Sequence, residues 1–185
     1  MKRKINNIIV CIAICILLLF TFIISYNVLS KNNNKSKLTT ISSNDKKIKI
    51  TLPSDIKFSN NKTDENYKLN IVSSDLQMLI YCSEVQNSSA KPLIDIVNLD
   101  QTDFTNKKEN VKIINAPSKI ELNNYEAFAY SFSYTDSTYA EDFFSEVIWI
   151  KNNDTFYILN IEIVLSNYEN NKDLINSIIN SFTII

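Results

Sequence analysis

Residues 125–135 read YEAFAYSFSYT, with Phe128, Tyr130, Phe132 and Tyr134 alternating against Ala127, Ala129, Ser131 and Ser133. Only an extended strand repeats its side chains with period two, so the four rings share one face and the four small side chains share the other. An aromatic ladder of this kind serves either as a platform for a flat ligand or a sugar, or as core beneath a helix. The second use accounts better for so much apolar area. The small face lets a second layer approach closely. A sheet packed on both sides is the framework this stretch demands.

Neighbouring segments extend the sheet. Residues 143–151 set Phe143, Val147 and Trp149 against Phe144, Ile148 and Ile150, so this strand is apolar on both faces and is expected to be central. Residues 155–165 form its partner across a turn at Asn152-Asn153-Asp154. In KIKITL, starting at Lys47, Ile48, Ile50 and Leu52 fall on one face before Pro53 stops the ladder. Residues 67–73 and 76–85 are two further strands, turned at Ser74-Asp75, and short strands are expected at 111–114 and 119–122.

Two segments carry helical spacing instead. After Pro92, the residues Leu93, Ile96, Val97, Asp100 and Phe104 recur every three or four positions. Ser166-Asn167-Tyr168-Glu169 has the form of a capping box, and Leu174, Ile175, Ile178, Ile179 and Phe182 make one apolar stripe, followed by the stub Thr183-Ile184-Ile185. The expected class is α+β, an antiparallel sheet flanked by helices in an α/β/α sandwich, occupying residues 46–185. The chain has no glycine, so turn positions needing positive φ fall to asparagine, with Asn60-Asn61, Asn123-Asn124 and Asn152-Asn153 as the preferred sites.

Ahead of this domain stands a basic tip, residues 1–7, and then an apolar segment, residues 8–29. Its run from Ile8 to Tyr26 is long enough, at 1.5 Å per residue, to span about 28 Å of hydrocarbon as one transmembrane helix. The alternative is a secretory signal cleaved near Val28-Leu29-Ser30, which would release the domain. Val10 and Ile14 precede Cys11 and Cys15, where a lipoprotein signal needs a small residue. Lysines 31, 35 and 37 nearly balance the basic tip, so orientation rests on the tip itself, the usual start of an export signal. Residues 30–45 are polar and read as a flexible linker. The expectation is a single-pass membrane protein with an extracytoplasmic domain.

Composition removes several chemistries. Nineteen basic and 20 acidic residues leave no basic field for nucleic acid, and the absence of histidine takes away the commonest general base and zinc ligand. Cys82 is the one thiol outside the apolar segment and has no histidine to activate it, so it is read as buried and inert. Asp95, Asp100 and Asp103 are read as solvated charge rather than a calcium site. No catalytic, cofactor-binding or metal-ligating residue is assigned. The surface candidate is the loop of residues 135–142, where Asp136, Tyr139, Glu141 and Asp142 are displayed between two aromatic strands.

The opening ITLPSDIKF, the later SEVIWI and TFYILNIEIV, and the closing LINSIINSFTII with its pair Ser181-Phe182 resemble the PsbP/Mog1-like family, which includes many bacterial exported proteins of unassigned role. The resemblance covers residues 47–185 and implies the fold. No motif here matches the family's metal-associated or GTPase-contacting roles, and a lipobox, common in the bacterial members, is missing. The function expected is a membrane-anchored, non-enzymatic binding or accessory module with a protein partner at the cell envelope. A structural or envelope-assembly component, or an enzyme working with carboxylates alone, are the alternatives.

Overall fold

The computed structural model describes residues 37–61, 66–87 and 91–185. The basic tip, the apolar segment and most of the linker lie outside the described residues. Among those described, no helix is long and apolar enough to cross a membrane.

Residues Leu38–Ile185 form one compact unit. Its strands are β1 (Leu38–Ser42), β2 (Ile48–Pro53), β3 (Ser59–Asn60), β4 (Leu69–Ser73), β5 (Met78–Gln86), β6 (Glu109–Leu122), β7 (Tyr125–Asp136), β8 (Glu141–Asn152), β9 (Thr155–Val164) and β10 (Thr183–Ile184). Helix α1 (Leu93–Thr105) follows β5, and helix α2 (Leu165–Ser181) follows β9. Seven strands make one antiparallel sheet in the order β3-β4-β5-β9-β8-β7-β6, and β1, β2 and β10 make a second sheet of three.

The two faces of the large sheet support two cores. On one, the odd residues of β9 and the even residues of β8 meet Ile175, Ile178, Ile179 and Phe182 of α2, together with Ile48, Ile50 and Leu52 of β2. On the other, Tyr130, Phe132 and Tyr134 of the aromatic ladder meet Leu93 and Val97 of α1, with Val147 and Trp149. The ladder is therefore core beneath a helix, and its small side chains face the α2 layer, as alternation requires. Burying each ring contributes about 1.5–3 kcal/mol by area.

Several boundaries differ from expectation. Leu38–Ser42, placed within the linker by its polarity, pairs with β2 because Ile41 packs on the core and Thr40 and Thr51 face each other at 3.4 Å. The layer expected to be helical is thus shared between α2 and a small sheet. The two short strands expected at 111–114 and 119–122 are one strand, β6, broken by three register shifts against β7. It is an edge strand, and Asn110 at φ 51° with Pro117, which lacks an N–H, explains both the irregularity and the misleading pattern.

Two of the three expected asparagine turns form. Asn123 (φ 52°) and Asn153 (φ 54°) take the left-handed position of two-residue hairpin loops, whereas Asn60 lies in β3. Among the described residues, Lys46, Gln77 and Ala140 also adopt positive φ. The capping box does not form: β9 runs directly into α2, Val164 occupies the cap position without a side-chain bond, and Glu169 pairs with Lys172 at 2.7 Å. Val164 is buried at that junction. The expected terminal stub is β10, paired with β2.

Ion pairs join the two sheets. Lys68 lies 3.0 Å from both Asp45 and Glu84, and Lys47 lies 3.3 Å from Glu84. Burial works against the Asp45 charge, but hydrogen bonds from Ser43, the Lys47 backbone and Lys68, with the Lys68 charge, hold its carboxyl down at about 2.

Candidate functional site

Strands β7 and β8 are joined by residues 137–140. Asp136 Oδ1 accepts the Thr138 N–H at 2.8 Å, an Asx turn that reverses the chain, and Ala140 completes it at φ 54°. Tyr139 is left at the tip, 70% exposed, with its ring edge-on to Phe143 at 6.4 Å. Glu141 and Phe143 follow on one face of β8 and Asp142 on the other, where its Oδ1 accepts the Thr135 hydroxyl at 2.8 Å.

This tip overhangs a groove of about 560 Å³. Asp136, Tyr139 and Glu141 line it; Asp142 does not, and faces a separate depression beside Leu165 and Ser166. The floor and far wall come from distant sequence, with Val72 of β4, Leu79 of β5, Phe143 of β8, and Glu162 and Val164 of β9. The register explains the meeting, because Val72 pairs with Leu79 and Leu79 with Glu162. Helix α1 packs chiefly on β6 and β7 and contributes none of the residues that line the groove.

Glu162 is the charged residue of the floor. Burial raises its carboxyl above the ordinary value, opposed by the Lys108 charge and by hydrogen bonds from the Tyr81 and Tyr134 hydroxyls. The Tyr81 hydroxyl donates to Glu162 Oε1 at 3.4 Å, and burial followed by the Glu162 charge drives the Tyr81 phenol far up. Lys108 Nζ stands 4.1 Å from the centroid of the Tyr134 ring and 5.5 Å from that of Phe104, a cation held on aromatic faces at the border of the groove. On the same sheet face, Ser145 Oγ and Asn160 Oδ1 are buried without a hydrogen-bond partner among the described residues.

The sequence points to the loop at the rim of this groove and not to the residues beneath it. The available signal was Asn160 and Glu162 in a strand otherwise apolar on both faces. Asp100, read as solvated, instead accepts hydrogen bonds from Tyr130 and Trp149, which fastens α1 to the sheet. Cys82 is fully buried, and burial, then the charge of Glu84, pushes its thiol far up, away from the reactive thiolate. Among the described residues, no three His, Cys, Asp or Glu side chains are grouped to hold a metal.

No family model and no curated protein matches the chain. Solved structures do. The Ran-binding protein Mog1 of Saccharomyces cerevisiae, 12% identical, superposes with a TM-score of 0.57 over 81% of this chain and 96% of its own. The cyanobacterial PsbP protein of Synechocystis, also 12% identical, gives 0.56 over 81% and 94%. LpqN of Mycobacterium tuberculosis, described as involved in cell envelope biogenesis, gives 14% identity and 0.56 over 83% and 93%. Likeness at such identities bears on architecture and leaves the sites to be argued from this chain. Seven antiparallel strands between two helices, superposing on these three proteins, give the chain the PsbP/Mog1-like fold.

Proposed function

We propose that this chain is a membrane-tethered, extracytoplasmic, non-enzymatic binding module whose folded domain holds a protein partner in the groove beneath the β7–β8 loop. The observation that carries the reading is the convergence of Asp136, Tyr139 and Glu141 with the apolar residues of three distant strands on one open groove. Apolar walls with a few placed polar groups and an exposed aromatic at the rim are the usual make-up of a recognition site. The apolar segment at residues 8–29 supplies the tether, and its basic tip favours export of the domain. Likeness to a Ran-binding protein and to an envelope-biogenesis protein accords with action by contact. The envelope-assembly alternative differs only in what the partner does, and the likeness to LpqN favours it.

Two measurements test the reading. Protease added to intact cells should digest the domain and spare the apolar segment; complete protection overturns the exported topology. A photocrosslinking amino acid at position 139 should trap a defined partner in living cells, while the same group at Lys119, on the edge strand, should not. Equal patterns from the two positions would refute recognition through the groove.

A further inference from the structure

We infer that the groove receives a lysine or arginine side chain, flanked by apolar residues, from an extended segment of the partner protein. This rests on the reading of the groove as the recognition site and adds the chemistry of what enters it. Three carboxylates line the groove, from Asp136, Glu141 and Glu162, beside the rings of Tyr134, Tyr139 and Phe143. Lys108 offsets the buried Glu162 from the border. Among the described residues, neither Asp136 nor Glu141 has an ion-pair partner, so the rim keeps two uncompensated negative charges.

The protein itself shows that this surface accommodates a cation on an aromatic ring. Lys108 lies over the Tyr134 ring and its charge favours the Glu162 carboxylate, a combination that an incoming ammonium or guanidinium would repeat with the Tyr139 ring and the Glu141 carboxylate. The apolar stem of such a side chain suits Leu79, Phe143 and Val164, which form the wall below. An anionic segment would meet two like charges, and a purely apolar one would leave both carboxylates desolvated and unpaired. Charge complementarity beside an apolar wall selects a basic residue in an apolar context.

The test compares two fluorescein-labelled peptides, Ala-Leu-Lys-Leu-Ala-amide and its norleucine counterpart, by anisotropy with the full chain in non-ionic detergent. Norleucine keeps the stem and removes the charge. The lysine peptide should bind about fivefold more tightly at low salt, with the advantage shrinking as ionic strength rises through about 0.15 M. The double substitution Asp136→Asn, Glu141→Gln should abolish that preference while leaving the unfolding midpoint in place. Equal binding of the two peptides, a preference that survives the double substitution, or no binding of either at millimolar concentration would each overturn the inference. The crosslink from position 139 reports on the groove independently, so a specific crosslink without a charge preference would sink the basic occupant and leave the recognition site standing.

Discussion

The indole Nε1–H of Trp149 donates to Asp100 Oδ2 at 2.8 Å, and the Tyr130 hydroxyl donates to the same oxygen at 2.8 Å. One carboxylate on α1 therefore satisfies two donors on two strands, in a core where Tyr130 and Trp149 are almost wholly buried. Removing it leaves both donors without a partner, the costlier way to lose a hydrogen bond. Asp100→Ala is expected to destabilise the domain by about 2–4 kcal/mol, and Asp100→Asn by less, since the amide oxygen still accepts. Urea unfolding of the full chain in detergent checks this; a loss under about 0.5 kcal/mol for Asp100→Ala would mean that the clamp is not holding α1.

The pair Ser181-Phe182, which carries the family resemblance, has a structural explanation. Ser181 Oγ accepts the Thr51 N–H at 2.9 Å and donates to Ile178 O at 2.7 Å, tying the end of α2 to β2. Phe182 is fully buried, and its carbonyl accepts Asn123 Nδ2 at 2.8 Å. Ser181→Ala should cost about 1–2 kcal/mol and Phe182→Ala about 3–5 kcal/mol. Amide exchange should show Ser181→Ala loosening β2 and β10 before the large sheet; uniform loosening would contradict a local tie.

Ala140 has no compensation of its own for a left-handed backbone, unlike Asn123, whose side chain bonds Phe182. Alanine at φ 54° carries a Cβ penalty of about 1 kcal/mol. Ala140→Gly is therefore expected to stabilise the hairpin by somewhat less than that, the glycine's greater freedom in the unfolded chain offsetting part of the gain. Asn123→Gly, by contrast, should destabilise, because it gives up the bond to Phe182. Opposite signs in thermal melts are the expected outcome; equal signs would mean that Ala140 carries no backbone cost or that the Asn123 bond to Phe182 adds nothing.

How far each feature was legible in the sequence follows from where its information lies. The aromatic ladder, the doubly apolar β8 and the α2 stripe are local periodicities, and each predicted both the element and the face it buries. Boundaries were less legible wherever a distant partner decides them. Leu38–Ser42 is a strand because β2 lies beside it, and Thr183–Ile184 for the same reason. The site divided along the same line. Its rim is one hairpin and stood out by residue type, while its floor exists only through the register of β4, β5 and β9. Asp100 was misread because nothing in its own segment reveals the indole and phenol that reach it.

Two carboxylates should give the stability of this domain opposite slopes with pH. Asp45 has a folded value of about 2 against an ordinary 3.8, so its contribution is fully present above 3.8 and is lost as pH falls from there towards 2. Glu162 behaves in the reverse sense. Burial raises its folded value above the ordinary 4.5, so the folded state holds the proton longer than the unfolded chain, and stability declines as pH rises from 4.5 through the folded value. Glu146, raised by burial alone, acts in the same direction. Melting temperature should therefore climb as pH is lowered from neutral towards 4.5, then fall below 3.8. Glu162→Gln should reduce the upper limb, Glu146 keeping part of it, and leave the acid limb, whereas Asp45→Asn should reduce the acid limb and leave the upper one. Because glutamine keeps an acceptor for Tyr81 and Tyr134 without the buried charge, Glu162→Gln should also be at least as stable as the parent at pH 7. If its melting temperature keeps the parent's full slope above pH 4.5, burial of Glu162 is not what sets the proton balance of the groove floor.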